Sequence, residues 1–180
     1  LSTIQSAVKK KNRGKHDFKI YSNRKFQKWI NYFTKKDRKR FNRFLARGYY
    51  YQEMMKTILE EEEFPHILFY LPLIESGFVT KAHSRAGAVG PWQFVKGTAK
   101  RYGLMVNSIV DERRDPILST EAAARYLTDL YNVFNSWELA IAAYNCGEMR
   151  VLRAIMKGNS RNFWTLSKKR LLPRETRNYV

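Results

Sequence analysis

General acid chemistry on a neutral bond needs a carboxyl group held where water is scarce, and Glu75 is placed for it. It closes the apolar run Ile67, Leu68, Phe69, Leu71, Leu73, Ile74 and is followed by Ser76-Gly77. The run reads as a helix buried on all sides, with Pro72 kinking it or leaving a backbone carbonyl free near its end, so the carboxyl should emerge at the helix terminus facing a glycine-rich loop. Partial desolvation there favours the protonated form that a general acid needs. The competing reading is an ordinary polar residue where a core helix meets water.

Two further clusters carry groups suited to sugars. In Gly87-Ala88-Val89-Gly90-Pro91-Trp92-Gln93-Phe94 the glycines admit close backbone approach, Trp92 offers an apolar plate and Gln93 a bidentate amide. A glycine-rich turn leading to a core tryptophan explains the same residues. In Ala142-Ala143-Tyr144-Asn145-Cys146-Gly147 a phenol and an amide stand at a helix end, Tyr144 able to reach a carboxyl and Asn145 a hydroxyl or acetamido group. A capped helix end with Asn145 or Gly147 left-handed serves equally well. Cys146 has no histidine in a recognisable dyad and reads as a small buried residue; as the only cysteine it excludes an internal disulfide. His16, His66 and His83 lack metal-ligand spacing, so no metal and no cofactor is expected.

The elements that must position these groups are helical throughout, because no strand-like alternation of any length occurs from Phe18 to Val180. Phe26, Ile30 and Phe33, then Phe41, Phe44 and Leu45 before Gly48, predict two short basic helices with one aromatic face each. A third follows over Tyr50–Glu63, stopped by Pro65. Gly77 ends the helix that carries Glu75, residues 80–90 form a loop, and Pro91 opens a helix to Gly103. Asp115-Pro116 caps the next, with Leu118, Ala122, Tyr126 and Leu130 along it; Ser136 caps another, Gly147–Gly158 forms one more, and Pro173 opens a last. The fold class is all-α, built of many short helices.

Charge is the other strong signal. Residues 1–48 hold 16 Lys/Arg against 2 Asp/Glu, and residues 49–180 hold 18 against 14, so the net +18 is mainly N-terminal. Such a segment attracts polyanions, namely nucleic acid, an anionic lipid surface or a carboxylate-bearing wall, or it is a solvated arm that keeps the protein soluble. The basic residues match no nucleic-acid docking motif, and a nucleic-acid module would leave Glu75 unexplained. No run reaches the roughly eighteen apolar residues of a membrane span, and no N-terminal stretch reads as a signal peptide.

Taken together, Leu71-Pro72-Leu73-Ile74-Glu75-Ser76-Gly77-Phe78, Ser84 with Gly87 to Phe94, Asp115, Ala143-Tyr144-Asn145 with Gly147-Glu148, Phe163-Trp164 and Leu172-Pro173-Arg174-Glu175-Thr176 resemble the lytic transglycosylase domain of the soluble-lytic-transglycosylase family. Its membrane-bound murein transglycosylase D branch is the most similar, over roughly residues 64–180. The resemblance implies a lysozyme-like fold, similar to goose-type lysozyme, with a groove for the glycan strand of peptidoglycan. It implies that Glu75 protonates the glycosidic oxygen between N-acetylmuramic acid and N-acetylglucosamine, then deprotonates the muramoyl 6-hydroxyl to close a 1,6-anhydro ring. It further places Ser84, Gln93, Tyr144 and Asn145 around the groove, Tyr144 near the carboxyl and Gln93 and Asn145 near the sugar. Lys96 stands where many relatives have proline, Pro91 and Cys146 are variant choices, and His83 with Arg85 makes the loop before Gly87 unusually basic.

The expected organisation is a basic lead-in over 1–17, basic N-terminal helices over 18–63 packed on the catalytic unit, and the catalytic domain over 64–180. The implied setting is the cell envelope, periplasmic or exported, for a monomer whose basic N-terminal region touches an anionic wall or membrane surface. A water-using muramidase of the same fold is the main alternative. It needs a second carboxylate, with Asp111, Glu112, Asp115 and Glu148 as candidates. A non-catalytic wall- or polyanion-binding module is a more distant one.

Overall fold

The structure, a computed structural model, describes residues 24–180. The expected lead-in over residues 1–17, and residues 18–23 after it, lie outside the described residues. The chain forms two compact units, one ending at Ala124 and the other covering Arg125–Val180. Among the described residues there are helices, three isolated antiparallel bridges and no strand, so the all-α expectation holds.

In the first unit, α1 (Arg24–Asn31) passes through a π-helical turn, Tyr32–Lys36, into α2 (Arg38–Glu61). Asp37 fixes the corner: its carboxylate accepts from the Tyr32 hydroxyl at 3.0 Å and pairs with Arg40, whose guanidinium donates to Tyr32 Oη at 2.8 Å. The expected break at Gly48 is absent, and α2 is one helix of 24 residues. Gly48 is buried within it because the ring of Phe78 packs on its backbone; an added Cβ would lie 2.6 Å from Phe78 Cε2. Glycine inside a helix costs about 1 kcal/mol against alanine, and the close approach of Phe78 is what it permits.

The apolar run after Pro65 also departs from expectation. His66–Tyr70 is a 3-10 turn and α3 covers only Leu71–Ser76, with Pro72 in its first turn, where a missing N–H breaks no bond. Leu68, Phe69, Leu71 and Leu73 are buried while Ile67, Tyr70 and Ile74 are exposed, so the run is two-faced rather than enclosed. Pro91 opens no helix. Val89 and Phe94 exchange both backbone hydrogen bonds, at 3.0 and 3.1 Å, across a tight turn in which Gly90 (φ 82) and Gln93 (φ 51) are left-handed. A right-handed helix cannot contain that geometry, and α4 begins only at Lys96 and ends at Arg101.

The loop carrying this turn is clamped by Arg113, 7% exposed, from the 3-10 turn Glu112–Arg114. Its guanidinium donates to the Gly87 and Phe94 carbonyls at 3.0 and 3.1 Å and meets Asp111 in a bidentate pair, both contacts 2.8 Å. Gly90 lies against the Arg113 backbone carbonyl, where a Cβ would overlap it. Asp115 then caps α5 (Pro116–Phe134) as expected, Oδ1 accepting from the N–H groups of Ile117 and Leu118 at 2.8 and 2.9 Å.

The second unit takes up α5 from Arg125 onward. Its other helices are α6 (Trp137–Cys146), α7 (Glu148–Gly158), α8 (Phe163–Lys168) and α9 (Thr176–Tyr179). Ser136 caps α6 as expected, accepting from Leu139 N–H at 3.4 Å. Helix α8 has no counterpart in the sequence reading, though Asn162 caps it through Thr165 N–H at 2.9 Å. Helix α9 starts after Pro173, not at it. Tyr131 and Trp137, ring centroids 4.4 Å apart, anchor a core completed by Leu127, Leu139, Val151 and Leu166.

Two outcomes follow from this packing. Gly48→Ala raises helix propensity yet drives a methyl into Phe78, and is expected to lower stability by about 1–3 kcal/mol in urea unfolding. The hydrogen bond from Arg113 chiefly holds the Asp111 carboxyl below the ordinary aspartate value. Its folded pKa being depressed, its contribution is present above the unfolded pKa, about 4, and is lost as pH falls through the folded value. Wild type should therefore exceed Asp111→Asn in stability at neutral pH, and the gap should close in unfolding experiments carried below about pH 4.

Candidate active site

Glu75 stands half-buried in the last turn of α3. Directly after it Gly77 (φ 62) and Phe78 (φ 59) are both left-handed, and their N–H groups turn back to the Leu73 and Pro72 carbonyls, each at 3.1 Å. A left-handed phenylalanine is strained, and it is held by burial at 2% exposure against Phe69, 5.2 Å away. Gly77 has no room for a Cβ, since the Phe44 ring of α2 occupies that space, and Arg47 donates to its carbonyl at 3.2 Å. The backbone thus leaves the helix axis abruptly, and Glu75 stands at a helix end as expected.

Ser76 connects this end to the loop. Its Oγ accepts from Val79 N–H at 3.1 Å and donates to the Pro91 carbonyl at 2.9 Å, with the Pro72 carbonyl at 3.3 Å. The sequence reading gave Ser76 no role and Arg113 none. Their acceptors include backbone carbonyls, which no residue pattern reveals.

In the same unit Ser84 and Gln93 are half-buried and shape the loop. Ser84 Oγ accepts from Ala88 N–H at 3.0 Å, and Gln93 Nε2 donates to the Gly90 carbonyl at 2.9 Å. Trp92 is different: it is 0% exposed and its indole N–H donates to Thr120 Oγ1 at 2.9 Å. Its ring faces are enclosed, which corrects the sugar-plate reading in favour of the core tryptophan. The structure brings Glu75, Ser84, Gln93 and Trp92 into the first unit.

Tyr144 and Asn145 belong to the second unit, both half-buried at the end of α6. The Tyr144 ring packs on Tyr126 at 5.2 Å, and Asn145 Oδ1 accepts from the buried Thr176 hydroxyl at 2.8 Å. Gly147 (φ 87) turns the chain there. Burial pushes the Cys146 thiol up, the direction that suits a packing residue rather than a nucleophile.

Three candidate second carboxylates serve the fold directly. Asp111 is bidentate to Arg113, Glu112 Oε2 accepts from Met105 N–H at 2.6 Å, and Asp115 caps α5. Glu148 opens α7 in the second unit.

Comparison with known proteins gives the family and the fold. The chain is 40% identical over 127 residues to the membrane-bound lytic murein transglycosylase D of Escherichia coli, a match covering 68% of this chain and 27% of that protein. It therefore spans about a quarter of the length of that relative. Among solved structures it superposes with a TM-score of 0.61 on an inactive mutant of the lytic transglycosylase Slt from Pseudomonas aeruginosa (25% identity, 71% of this chain and 22% of that one). The 70 kDa soluble lytic transglycosylase from Escherichia coli gives the same score (26% identity, 72% and 22%). The fold is thus the lysozyme-like fold of these enzymes. The transglycosylase SLT domain family matches residues 54–167, and the chain belongs to that family.

Proposed function

We propose that the chain is a peptidoglycan lytic transglycosylase that cleaves the β-1,4 bond between N-acetylmuramic acid and N-acetylglucosamine, with Glu75 as the single acid and base. The Glu75 carboxyl gives its proton to the glycosidic oxygen, the C1–O bond breaks and N-acetylglucosamine leaves. The Glu75 carboxylate then takes the proton of the muramoyl 6-hydroxyl, whose oxygen bonds to C1 as the 1,6-anhydro ring. No water is consumed, and the carboxyl is regenerated.

The observation that carries this reading is the placement of Glu75 at a sharply turned helix end while Asp111, Glu112 and Asp115 serve Arg113, a backbone N–H and a helix terminus. A nucleophile supplied by the substrate removes the need for a second carboxylate, and this favours the lyase over the muramidase. Membership of the SLT family and the murein named for the relative in Escherichia coli support the substrate class. Ser84, Gln93, Tyr144 and Asn145 are the proposed sugar-facing groups, and peptidoglycan glycan strands are the partner. The protein acts as a monomer in the cell envelope, with residues 18–63 supporting a catalytic domain over 64–180.

Purified peptidoglycan digested by the protein should release muropeptides with 1,6-anhydro ends, identified by mass spectrometry. Glu75→Gln should slow their release by about 10²–10⁴-fold while leaving thermal unfolding unchanged. Release at the wild-type rate by Glu75→Gln would remove this glutamate from the mechanism.

A further inference from the structure

We propose that residues 24–47 form a docking surface for an anionic phospholipid bilayer, with α1 lying in the headgroup layer. Every described side chain from Arg24 to Arg47 lies outside the core, and Gly48 is the first buried residue among the described ones. Helix α1 places Phe26, Trp29 and Ile30 at helical spacing, each 40% exposed. Contacts of Trp29 with Tyr32 and Phe33, at 5.6 and 5.8 Å, and of Phe33 with Phe41, at 5.2 Å, fix α1 against the start of α2.

Around this apolar stripe the sequence has ten Lys/Arg from residue 24 to 47 against one acid, Asp37, which is engaged by Arg40 and Tyr32. Lys28, Lys35, Lys36 and Lys39 are exposed. A soluble polyanion requires only the cations. A lipid interface requires both, because it offers acyl chains for Phe, Trp and Ile beneath anionic headgroups for Lys and Arg, and an amphipathic basic helix satisfies the two together. No helix among the described residues is long and apolar enough to cross a membrane.

The test is co-sedimentation of the full 180-residue chain with vesicles of phosphatidylcholine alone or mixed with phosphatidylglycerol. Binding should be at least about tenfold tighter to the mixed vesicles and should weaken with salt. The variant Ile30→Ser, which spares the ring contacts holding α1, should lose several-fold of it with its melting temperature held within a few degrees. The exposed pair Lys35→Glu, Lys36→Glu, read independently, should lose a similar factor. Undiminished binding by the serine variant would reduce the surface to a charge-only site, and sedimentation with purified anionic wall polymer but not with vesicles would assign it to the wall; either result overturns the proposal.

Discussion

The hydroxyl of Ser76 joins the end of the Glu75 helix to the loop that follows it, donating to Pro91 and accepting from Val79. The bond from Val79 depends on the left-handed pair Gly77-Phe78, which swings the chain back so that residue 79 reaches residue 76. That pair in turn depends on α2, whose Phe44 fills the space beside Gly77 and whose Gly48 leaves room for Phe78. A few buried contacts thus fix the backbone on which Glu75 stands, the kind of rigid support that a proton-transferring carboxyl needs.

The loop on the far side of the Ser76 tie is fixed by a different device. Arg113 satisfies two loop carbonyls at once, and its charge is balanced within the unit by Asp111. A buried guanidinium without such a partner would be strongly destabilising, which explains why an acidic residue near the site has a structural duty. Glu112 and Asp115 are likewise acceptors for backbone N–H groups. Three of the candidate second carboxylates thus have structural duties, which is consistent with the proposed reaction, in which the substrate brings its own nucleophile.

How much of this was legible in the sequence follows from the range of each interaction. Caps at Asp115 and Ser136 and the stop at Gly77 are local, made by residues within a few positions, and the sequence reading located all three. Gly48 reads locally as a helix end; only its encounter with Phe78, remote in sequence, makes it a helix interior. Pro91 reads as a helix start until Gln93 adopts a left-handed conformation that a non-glycine residue seldom takes. Trp92 carried two readings that only its bond to Thr120 separates. The apolar run ending in Glu-Ser-Gly left Glu75 with two readings, and the family resemblance singled it out, whereas Ser76 and Arg113 act on backbone carbonyls and leave no pattern.

The central claim is that the new ring oxygen comes from the sugar and not from solvent. Digesting peptidoglycan in water enriched in oxygen-18 and weighing the newly formed muramoyl ends tests this directly. The expected ends lack the heavy isotope, each lighter by one water than a reducing end. Incorporation of one oxygen-18 per cleavage would show that water is the nucleophile, and would contradict it.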